Sequence, residues 1–442
     1  MKSTVTLLCC LAMLLAGCAT SISNANPRTG HHTSTLQWGI VGSSDVPTLD
    51  PALASDSTSI SVVSLVYGGL VRLDQHLKVV PDGARSWTIS RDGRTYTFHI
   101  RPNLRFSSGK RVTASDFAMA LNRALGPDGA AGAASFYLGS IARTGATGTR
   151  AITVLGPSTL RITLSRPSAH FLAQLAFPSA FVPDPATVAR YGANWTDHAA
   201  GFGPYRVVSW QHTRSLVLQR NPYYWAGIPT FRRIKVHLYQ GHAALAAYAK
   251  GTLDLVSGAP AGQDVFGSAV GLRRVAALSL DYLAFNTTRL PFLRLNARRA
   301  FAAASQSTVV NRNLRDTAVA VNGYLPSTFG IRTPSWQATH SPSTYLARAR
   351  YPHGRGLTSI VLVAPADPRI APLIEGIARR WRAVLNTQVV VRQLDPSIYD
   401  RVLSAHAFDV ALVRWGADYA DPQDFLGTQL GTSGGNVTGW QA

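Results

Sequence analysis

The chain has 442 residues, of which 46% are hydrophobic and 15% charged, so it is long enough for two or three packed units and too apolar to be disordered. Its 43 Lys and Arg against 22 Asp and Glu give a formal net charge of +21. Because the basic residues are spread along the chain and no nucleic-acid-reading motif accompanies them, we expect no nucleic-acid partner.

The first 18 residues have the pattern of an export signal. Lys2 supplies a positive start, and the apolar run from Val5 to Leu15 is too short to span a bilayer. The run ends in the sequence Leu-Ala-Gly-Cys, which resembles the bacterial lipobox. That resemblance implies that residues 1–18 act as a lipoprotein signal and that Cys18 becomes the lipidated N-terminus. An ordinary secretory signal with an incidental cysteine is the alternative.

A small, polar segment, residues 19–35, follows the signal and is predicted to be a flexible tether. It contains His31 and His32, which we interpret as an incidental pair rather than a metal site. All three cysteines of the chain precede the tether, which excludes a disulfide framework and a cysteine-based zinc site from the body. No later stretch is apolar for long enough to predict a membrane-spanning helix.

Short β-like runs alternate with helical patterns from Leu36 onward, which predicts an α/β chain rather than an all-β sandwich. The runs with period-2 or β-branched character are Thr95–Ile100, Leu160–Leu164, Tyr205–Trp210, Leu216–Leu218, Ile234–Tyr239, Ile360–Val363, Val389–Val391 and Phe408–Val413.

One helix is predicted to begin at Thr113, whose hydroxyl is expected to cap the amide of Asp116, and to end at Gly126. The following stretch, Gly126–Gly148, is rich in Gly and Ala and is predicted to be a surface excursion within a domain.

A second and longer helix is predicted over Pro368–Leu385, with Asp367 as its N-cap. Its apolar side chains recur with the 3.6-residue period, so they are predicted to face the core. They are Ile370, Leu373, Ile374, Ile377, Ala378, Trp381, Val384 and Leu385. The same pattern predicts that Arg379, Arg380 and Arg382 face water.

Catalytic motifs are almost absent, and we predict no enzyme activity and no cofactor. The chain has no dinucleotide or phosphate-binding glycine loop and no zinc-protease motif. Gly431–Gly435 formally matches the GxSxG nucleophile pattern around Ser433, but the flanking residues do not predict the strand and helix which that motif requires. A secreted hydrolase using Ser433 or a carboxylate cluster is therefore a disfavoured alternative.

Three carboxylates, Asp418, Asp421 and Asp424, follow the last predicted strand and lie beside Trp415 and Tyr419 in the sequence. A calcium loop needs more ligands and a closing Glu, so no metal is predicted. Two compatible interpretations remain: a capped turn that starts a helix at Asp421, and a ligand site at the end of a strand. A carboxylate beside aromatic walls is suited to an ammonium group.

Seven blocks follow one another along the body. They are Thr48–Pro51 with Gly68–Asp74, then Trp87–Arg101, Leu104–Phe117, Gly203–Val207, Arg220–Trp225, Leu283–Phe301 and Trp415–Pro422. In this order and spacing they resemble the dipeptide/oligopeptide-binding family of extracytoplasmic solute-binding proteins that serve ABC importers.

The resemblance implies an α/β, two-lobed periplasmic-binding-protein (type II) fold with an additional small domain inserted in the first lobe. We expect residues 36–75 and 170–275 to form the first lobe, residues 76–169 the insertion, and residues 276–442 the second lobe. The family continues for several dozen residues beyond the last block. The expectation is therefore that the sequence is a fragment or a truncated product, in which case the second lobe is incomplete.

The resemblance also implies a function. We expect a monomeric, lipid-anchored receptor on the outer face of the cytoplasmic membrane or in the periplasm. It is expected to capture short peptides in the cleft between two lobes and hand them to an ABC permease with its ATPase subunits. One alternative keeps the fold but binds a metal chelate, haem, sugar or antibiotic. Another is a truncated surface lipoprotein that does not transport.

The ligand residues follow from the same resemblance. In peptide-binding members the Asp of the last block holds the α-ammonium of the ligand, which places that role on Asp418, with Trp415 and Tyr419 beside it. Phe136 and Tyr137 occupy the approximate place of a further family aromatic. An Arg for the ligand carboxylate is expected but is not assigned among the 38 Arg residues.

Overall fold

The computed structural model describes residues 34–126, 134–144, 149–240, 243–257, 278–305, 323–326, 329–331, 336–367, 370–417, 419, 421–430 and 436–440. The chain divides into two compact units. We call the described residues 34–257 the first unit and the described residues 278–440 the second unit. Residues 1–33 lie outside the described residues. They include the predicted signal with its lipidation site Cys18 and the predicted tether up to Thr33.

Strands and helices alternate along both units, as the sequence predicts. The strands are β1 (Thr35–Val41), β2 (Val71–Leu73), β3 (Val79–Pro81), β4 (Ala84–Ile89), β5 (Thr95–Ile100), β6 (Arg143–Thr144), β7 (Thr149–Arg150), β8 (Ile152–Gly156), β9 (Thr159–Thr163), β10 (Tyr205–Gln211), β11 (Ser215–Arg220), β12 (Arg233–Tyr239), β13 (Leu255–Ser257), β14 (Ser279–Phe285), β15 (Ile360–Pro365), β16 (Val389–Leu394) and β17 (Val410–Gly416). The helices are α1 (Ser57–Val66), α2 (Ala114–Leu125), α3 (Ala134–Leu138), α4 (Phe171–Gln174), α5 (Pro185–Tyr191), α6 (Ala243–Ala249), α7 (Leu295–Ala304), α8 (Pro342–Arg348), α9 (Ala371–Leu385), α10 (Pro396–Ser404) and α11 (Gln423–Leu430). Short 3-10 turns cover Pro178–Ala180, Gly192–His198 and Pro352–Gly354.

A five-stranded sheet in the order β10-β11-β12-β1-β13 forms the centre of the first unit. β1 pairs in parallel with β12 and β13, whereas β10, β11 and β12 pair antiparallel. Trp38, Leu218 and Val236 belong to the core on one face of this sheet, together with residues of α1. α1 begins where the Asp56 carboxylate accepts a hydrogen bond from the Ser59 amide at 2.9 Å.

A second sheet of the first unit has the order β4-β5-β9-β8 and is antiparallel throughout. Along β5, Tyr96, Phe98 and Ile100 are buried and alternate with more exposed residues, which is the period-2 pattern of a half-buried strand. These four strands lie within the predicted inserted domain, whose boundaries stay a prediction.

Helix α2 begins as predicted with Thr113 as its N-cap. The Asp116 carboxylate accepts hydrogen bonds from both the backbone N–H and the hydroxyl of Thr113, each at 2.8 Å. Beyond α2, the predicted surface excursion Gly126–Gly148 is partly wrong. It contains α3, in which Ala134, Tyr137 and Leu138 are buried, because aromatic and aliphatic side chains give this stretch an apolar face despite its glycines.

The second unit is built on a four-stranded sheet in the order β14-β17-β15-β16. β14 is antiparallel to β17, whereas β15 is parallel to both β16 and β17. α9 contributes to the core on one face, and α10 contributes Tyr399 to a smaller cluster with Phe408. The central position of β17 explains its four successive buried residues, since both of its faces are covered.

Helix α9 confirms the predicted apolar stripe, with Trp381 fully buried. The Trp381 Nε1 group donates to the Phe301 carbonyl at 3.1 Å and to the Ser305 hydroxyl at 2.8 Å. The predicted start is wrong by three residues: the helix begins at Ala371, and residues 368–369 lie outside the described residues. Arg380 is half-buried rather than free in water, because it lies at the border of the stripe.

Candidate functional site

The segment that follows β17 carries the aromatic and acidic residues which the sequence singles out. Parallel strands present their carboxyl ends at one edge of a sheet, and ligand sites of open α/β sheets form there. β17 pairs in parallel with β15 and ends at Gly416. At this strand, Arg414 and Asp281 face each other across β14 and β17 and form a two-bonded ion pair, with N–O distances of 2.7 and 2.8 Å. This pair raises the pKa of the Arg414 guanidinium.

Trp415 is held by one of the three carboxylates. Its indole Nε1 donates to the Asp424 Oδ2 atom at 3.0 Å. Asp424 is fully buried in the first turn of α11, and Trp415 is half-buried. This hydrogen bond between buried groups fixes the ring plane of Trp415 against the helix. Asp424 therefore positions the aromatic wall.

The second carboxylate, Asp421, caps the helix. Its Oδ1 atom accepts from the Gln423 amide at 2.8 Å, and its carbonyl accepts from the Asp424 amide at 3.0 Å. This arrangement confirms the predicted capped turn. Tyr419 is 2% exposed, and its hydroxyl donates to the Gln423 side-chain oxygen, so it lies under the turn.

The third carboxylate, Asp418, which the sequence assigns to the ligand ammonium, lies outside the described residues. Its neighbour Ala417 packs in the same hydrophobic cluster as Trp415. Its neighbour Tyr419 is buried under the turn that Asp421 caps. The ammonium role of Asp418 stays a prediction.

An aromatic cluster at the end of β17 brings together residues that are far apart in sequence. We define it as Tyr282, Tyr324, Phe329, Trp415 and Phe425. The Tyr282 and Tyr324 rings meet edge to face at 5.1 Å, and the Phe329 and Phe425 rings do so at 5.7 Å. Burial raises the pKa of both tyrosines, so both keep a neutral hydroxyl. The cluster combines apolar ring surface with hydroxyl groups.

Sequence reasoning missed four members of this cluster. Tyr282 lies one residue before the start of a motif block, which was the only signal available for it. Tyr324 and Phe329 follow a stretch without a periodic pattern, and Phe425 lies on a helix face. Their proximity to Trp415 depends on tertiary structure.

The two predicted aromatics of the first unit have different environments. Tyr137 is 3% exposed, and its ring lies 4.0 Å from that of Phe177. Phe136 is 40% exposed and contacts Tyr137 edge to face at 5.0 Å. Tyr137 therefore packs in the interior of the first unit, while Phe136 offers ring surface. Both lie in the first unit, whereas Trp415 and Tyr419 lie in the second.

The first unit contains a buried carboxylate, Asp82, with a shifted pKa. Asp82 accepts from the Trp225 Nε1 group at 3.0 Å and from the Gly69 amide at 3.2 Å. The Arg101 guanidinium stacks on the Trp225 ring at 3.6 Å and donates to the Asp82 carbonyl at 2.5 Å. Burial raises the pKa of Asp82 from its ordinary value of 3.8 to about 6. Since its donors come from two motif blocks, Asp82 joins those blocks.

Two residues of the motif blocks, Asp50 and Asn221, also hold the fold. Arg123 of α2 forms a two-bonded ion pair with Asp50, with N–O distances of 2.8 and 2.6 Å. Asn221 donates from its side chain to the Gly203 carbonyl at 2.9 Å and so joins the Arg220–Trp225 block to the Gly203–Val207 block.

Within the described part of the chain, no group of three or more His, Cys, Asp or Glu residues is arranged to hold a metal ion. None of the helices among the described residues is both long enough and apolar enough to cross a membrane. The predicted serine of the GxSxG pattern, Ser433, lies outside the described residues.

The chain is similar in sequence to known proteins. The family described as bacterial extracellular solute-binding proteins, family 5 middle, matches residues 78–437. The chain is 25% identical to the oligopeptide-binding protein OppA of Bacillus subtilis, over 99% of this chain and 86% of that protein. It is 26% identical to the probable deoxycholate-binding periplasmic protein YgiS of Escherichia coli, over 90% of this chain and 78% of that protein.

Solved structures share the architecture. The Escherichia coli murein tripeptide binding protein MppA matches with a TM-score of 0.73 and 23% identity, over 91% of this chain and 84% of that chain. The predicted fold class, an α/β two-lobed periplasmic-binding-protein fold, is thereby confirmed. At this identity the likeness concerns the fold alone.

Proposed function

This chain belongs to the bacterial extracellular solute-binding proteins, family 5, and from that premise we propose that it captures short peptides and delivers them to an ABC permease driven by a cytoplasmic ATPase. It is a receptor and not an enzyme. The names of two similar proteins, an oligopeptide-binding protein and a murein tripeptide binding protein, support a peptide ligand.

The observation that carries this proposal is the anchored aromatic wall beside an acidic segment at the carboxyl end of β17. Trp415 is fixed by Asp424 at 3.0 Å, and the chain between Trp415 and the cap Asp421 includes Asp418. A peptide presents a cationic α-ammonium next to apolar side chains and backbone groups. A carboxylate beside aromatic rings matches that combination.

In this proposal the three carboxylates have separate roles. Asp424 positions Trp415, Asp421 caps α11, and Asp418 binds the α-ammonium of the peptide. Tyr419 supports the turn from below, since it is almost fully buried. Backbone hydrogen bonds of the strand-addition type would then bind the rest of an extended peptide and leave side-chain specificity broad.

The proposed location is outside the cytoplasmic membrane, with Cys18 as the site of the lipid anchor. The lipobox resemblance of residues 15–18 supports this anchor. We propose that the receptor works as a monomer.

A second candidate function keeps the fold and changes the ligand. One similar protein bears the name of a probable deoxycholate-binding protein, which favours testing a non-peptide, amphipathic ligand. The aromatic cluster offers ring surface for such a molecule.

The decisive experiment is titration calorimetry with tripeptides that have a free or an acetylated N-terminus. Asp418→Asn should weaken binding of the free tripeptide by roughly 10- to 150-fold, the range expected for a lost charge-assisted hydrogen bond. Acetylation of the peptide should weaken wild-type binding similarly, and it should have little further effect on the variant.

Asp400→Asn is the matched control, because Asp400 is an exposed carboxylate on α10 of the same unit. It should leave the affinity unchanged. Equal affinities of the wild type and Asp418→Asn for the free tripeptide would contradict the assignment of Asp418. Binding of deoxycholate with no measurable binding of any tripeptide would favour the second candidate.

A further inference from the structure

One face of the five-stranded sheet in the first unit is covered by α6 at one end, where Val41 and Tyr239 pack with Ala244, and is basic over the rest of its described length. A register row crosses four strands: Arg206 of β10 lies opposite Gln219, Gln219 opposite Arg233, and Arg233 opposite Thr35 of β1. The side chains of Arg206 and Arg233 are exposed, whereas their strand neighbours Val207 and Ile234 are buried in the core on the other face. The row therefore lies on the solvent side of the sheet.

The next rows extend this face. Lys235 lies opposite Val217 on one side and Gln37 on the other, and His237 lies opposite Ser215. Lys235 and His237 are half-buried and alternate with the fully buried Val236. We call the surface formed by Arg206, Gln219, Arg233, Lys235 and His237 the basic sheet face.

The strands themselves supply no carboxylate to this face, and the exposed carboxylate of Asp254, directly before β13, accepts from the Gln37 amide at 2.8 Å. The sequences of β1, β10, β11 and β12 contain neither Asp nor Glu. The side chains of Arg206, Arg233 and Lys235 make no hydrogen bond or ion pair with any residue that the structure describes. Burial lowers the pKa of His237, with a smaller effect of Lys235, so the face has three permanent positive charges at neutral pH. It is suited to an anionic partner.

The position of the tether indicates which anionic partner is near. β1 begins at Thr35, 17 residues after Cys18. Because hydrogen-bonded strands lie about 4.8 Å apart, Arg233 is about 5 Å and Arg206 about 15 Å from the strand into which the tether leads. The basic sheet face therefore lies next to Thr35, the residue at which the predicted tether ends.

We propose that the basic sheet face docks on anionic phospholipid headgroups of the membrane that carries the lipid anchor. This inference rests on the proposed anchoring at Cys18, which supplies the proximity. Each basic residue near an anionic lipid surface strengthens partitioning by about fivefold. Three such residues on one face of the sheet orient the first unit on the membrane, with β1 and β12 next to the lipid.

The test uses residues 19–442, which include every described residue and lack the lipid. Sedimentation with vesicles measures the partition coefficient on pure phosphatidylcholine and on vesicles with about 30% phosphatidylglycerol. The variant Arg206→Gln/Arg233→Gln/Lys235→Gln removes the three charges of the face. We expect the unlipidated wild type to bind the anionic vesicles, and we expect the triple variant to bind them at least about tenfold more weakly.

The matched control is Arg85→Gln/Arg91→Gln/Arg161→Gln, which removes three exposed arginines on and beside the sheet of β4 and β9. Its net charge equals that of the test variant. An effect of net charge alone would weaken both variants equally and would overturn the proposal. Absence of wild-type binding to anionic vesicles would also overturn it. Raising the salt from about 0.05 M to about 0.3 M should weaken wild-type binding, since screening shortens the reach of surface charges.

Peptide titration of the same variants separates this inference from the proposed function. Unchanged peptide affinity with lost vesicle binding assigns the effect to the face. If no tripeptide binds the wild type while the vesicle result holds, the peptide proposal fails and the docking proposal stands.

Discussion

At the scale of single residues, Asp82 shows how a buried carboxylate that joins two motif blocks serves the fold at an electrostatic cost. Its carboxylate receives hydrogen bonds from Trp225 and Gly69, yet it is only 6% exposed. The hydrogen bonds and the nearby arginines lower its pKa, but burial outweighs them and raises the pKa to about 6. The folded protein therefore binds a proton on Asp82 at a pH at which the unfolded chain has lost it.

The sign of the pH dependence follows from this shift. The stabilising contribution of Asp82 is fully present below pH 3.8, the ordinary pKa, and is lost as the pH rises to about 6. Asp82→Asn has no such loss. The difference in unfolding free energy, variant minus wild type, should therefore rise between about pH 4 and pH 6, by up to about 3 kcal/mol. Denaturant titrations at several pH values measure it.

Asp82→Asn also has a cost in stability that does not depend on pH. The amide side chain can accept a hydrogen bond from Trp225 or from Gly69, but not from both. We expect this loss to lower stability by about 1–2 kcal/mol at every pH. Asp400→Asn, an Asp-to-Asn change at an exposed position, serves as the matched control. A flat difference for Asp82→Asn would refute the assigned shift.

At the scale of elements, local capping chemistry decides where several helices begin. Asp56 and Asp421 each accept a backbone amide bond two or three residues later, at 2.9 and 2.8 Å. Thr113 and Asp116 join the first turn of α2 through the carboxylate. Such caps satisfy amides that the helix itself leaves without a partner.

The cap of α11 has a second role, because the turn that Asp421 caps also positions Trp415. Asp421→Ala should lower the unfolding free energy by about 1 kcal/mol, since the Gln423 amide loses its acceptor. Asp421→Ser should recover most of the loss, because a hydroxyl is also an effective cap. Equal stabilities of the two variants in denaturant titrations would show that the cap contributes nothing.

At the scale of the whole molecule, the two units have separate hydrophobic cores. Ile374 and Trp381 belong to the core of the second unit, and Leu218 and Trp38 to that of the first. Among the described residues these two cores have no member in common. A cavity in one core is therefore expected to leave the packing of the other intact.

Hydrogen exchange of the backbone amides tests this independence. Ile374→Ala deletes fully buried atoms and should cost about 2–5 kcal/mol. It should accelerate exchange in α9, β15 and β16 and leave β11 and β12 unchanged. Leu218→Ala, also at a fully buried position, should give the reverse pattern. Equal acceleration in both units by either variant would show that they unfold as one block.

The elements were largely predictable, because side-chain period and caps act over a few residues. Thr95–Ile100 is a strand with the predicted bounds, and α2 begins after its predicted cap. The start of α9 and the buried helix α3 were not predicted correctly. Helix ends depend on which turn gains tertiary contacts, and a short helix among glycines becomes stable only through burial of residues such as Tyr137.

The sequence by itself determined the α/β class, the family resemblance and the acidic-aromatic segment after β17, since these depend on residue order and local periodicity. Only the tertiary structure decided what the individual residues do. It places Asp421 and Asp424 on a helix cap and on Trp415, buries Tyr137, and brings Tyr282 and Phe425 into one cluster. The physical reason is that desolvation and side-chain contact depend on chain segments that are distant in sequence.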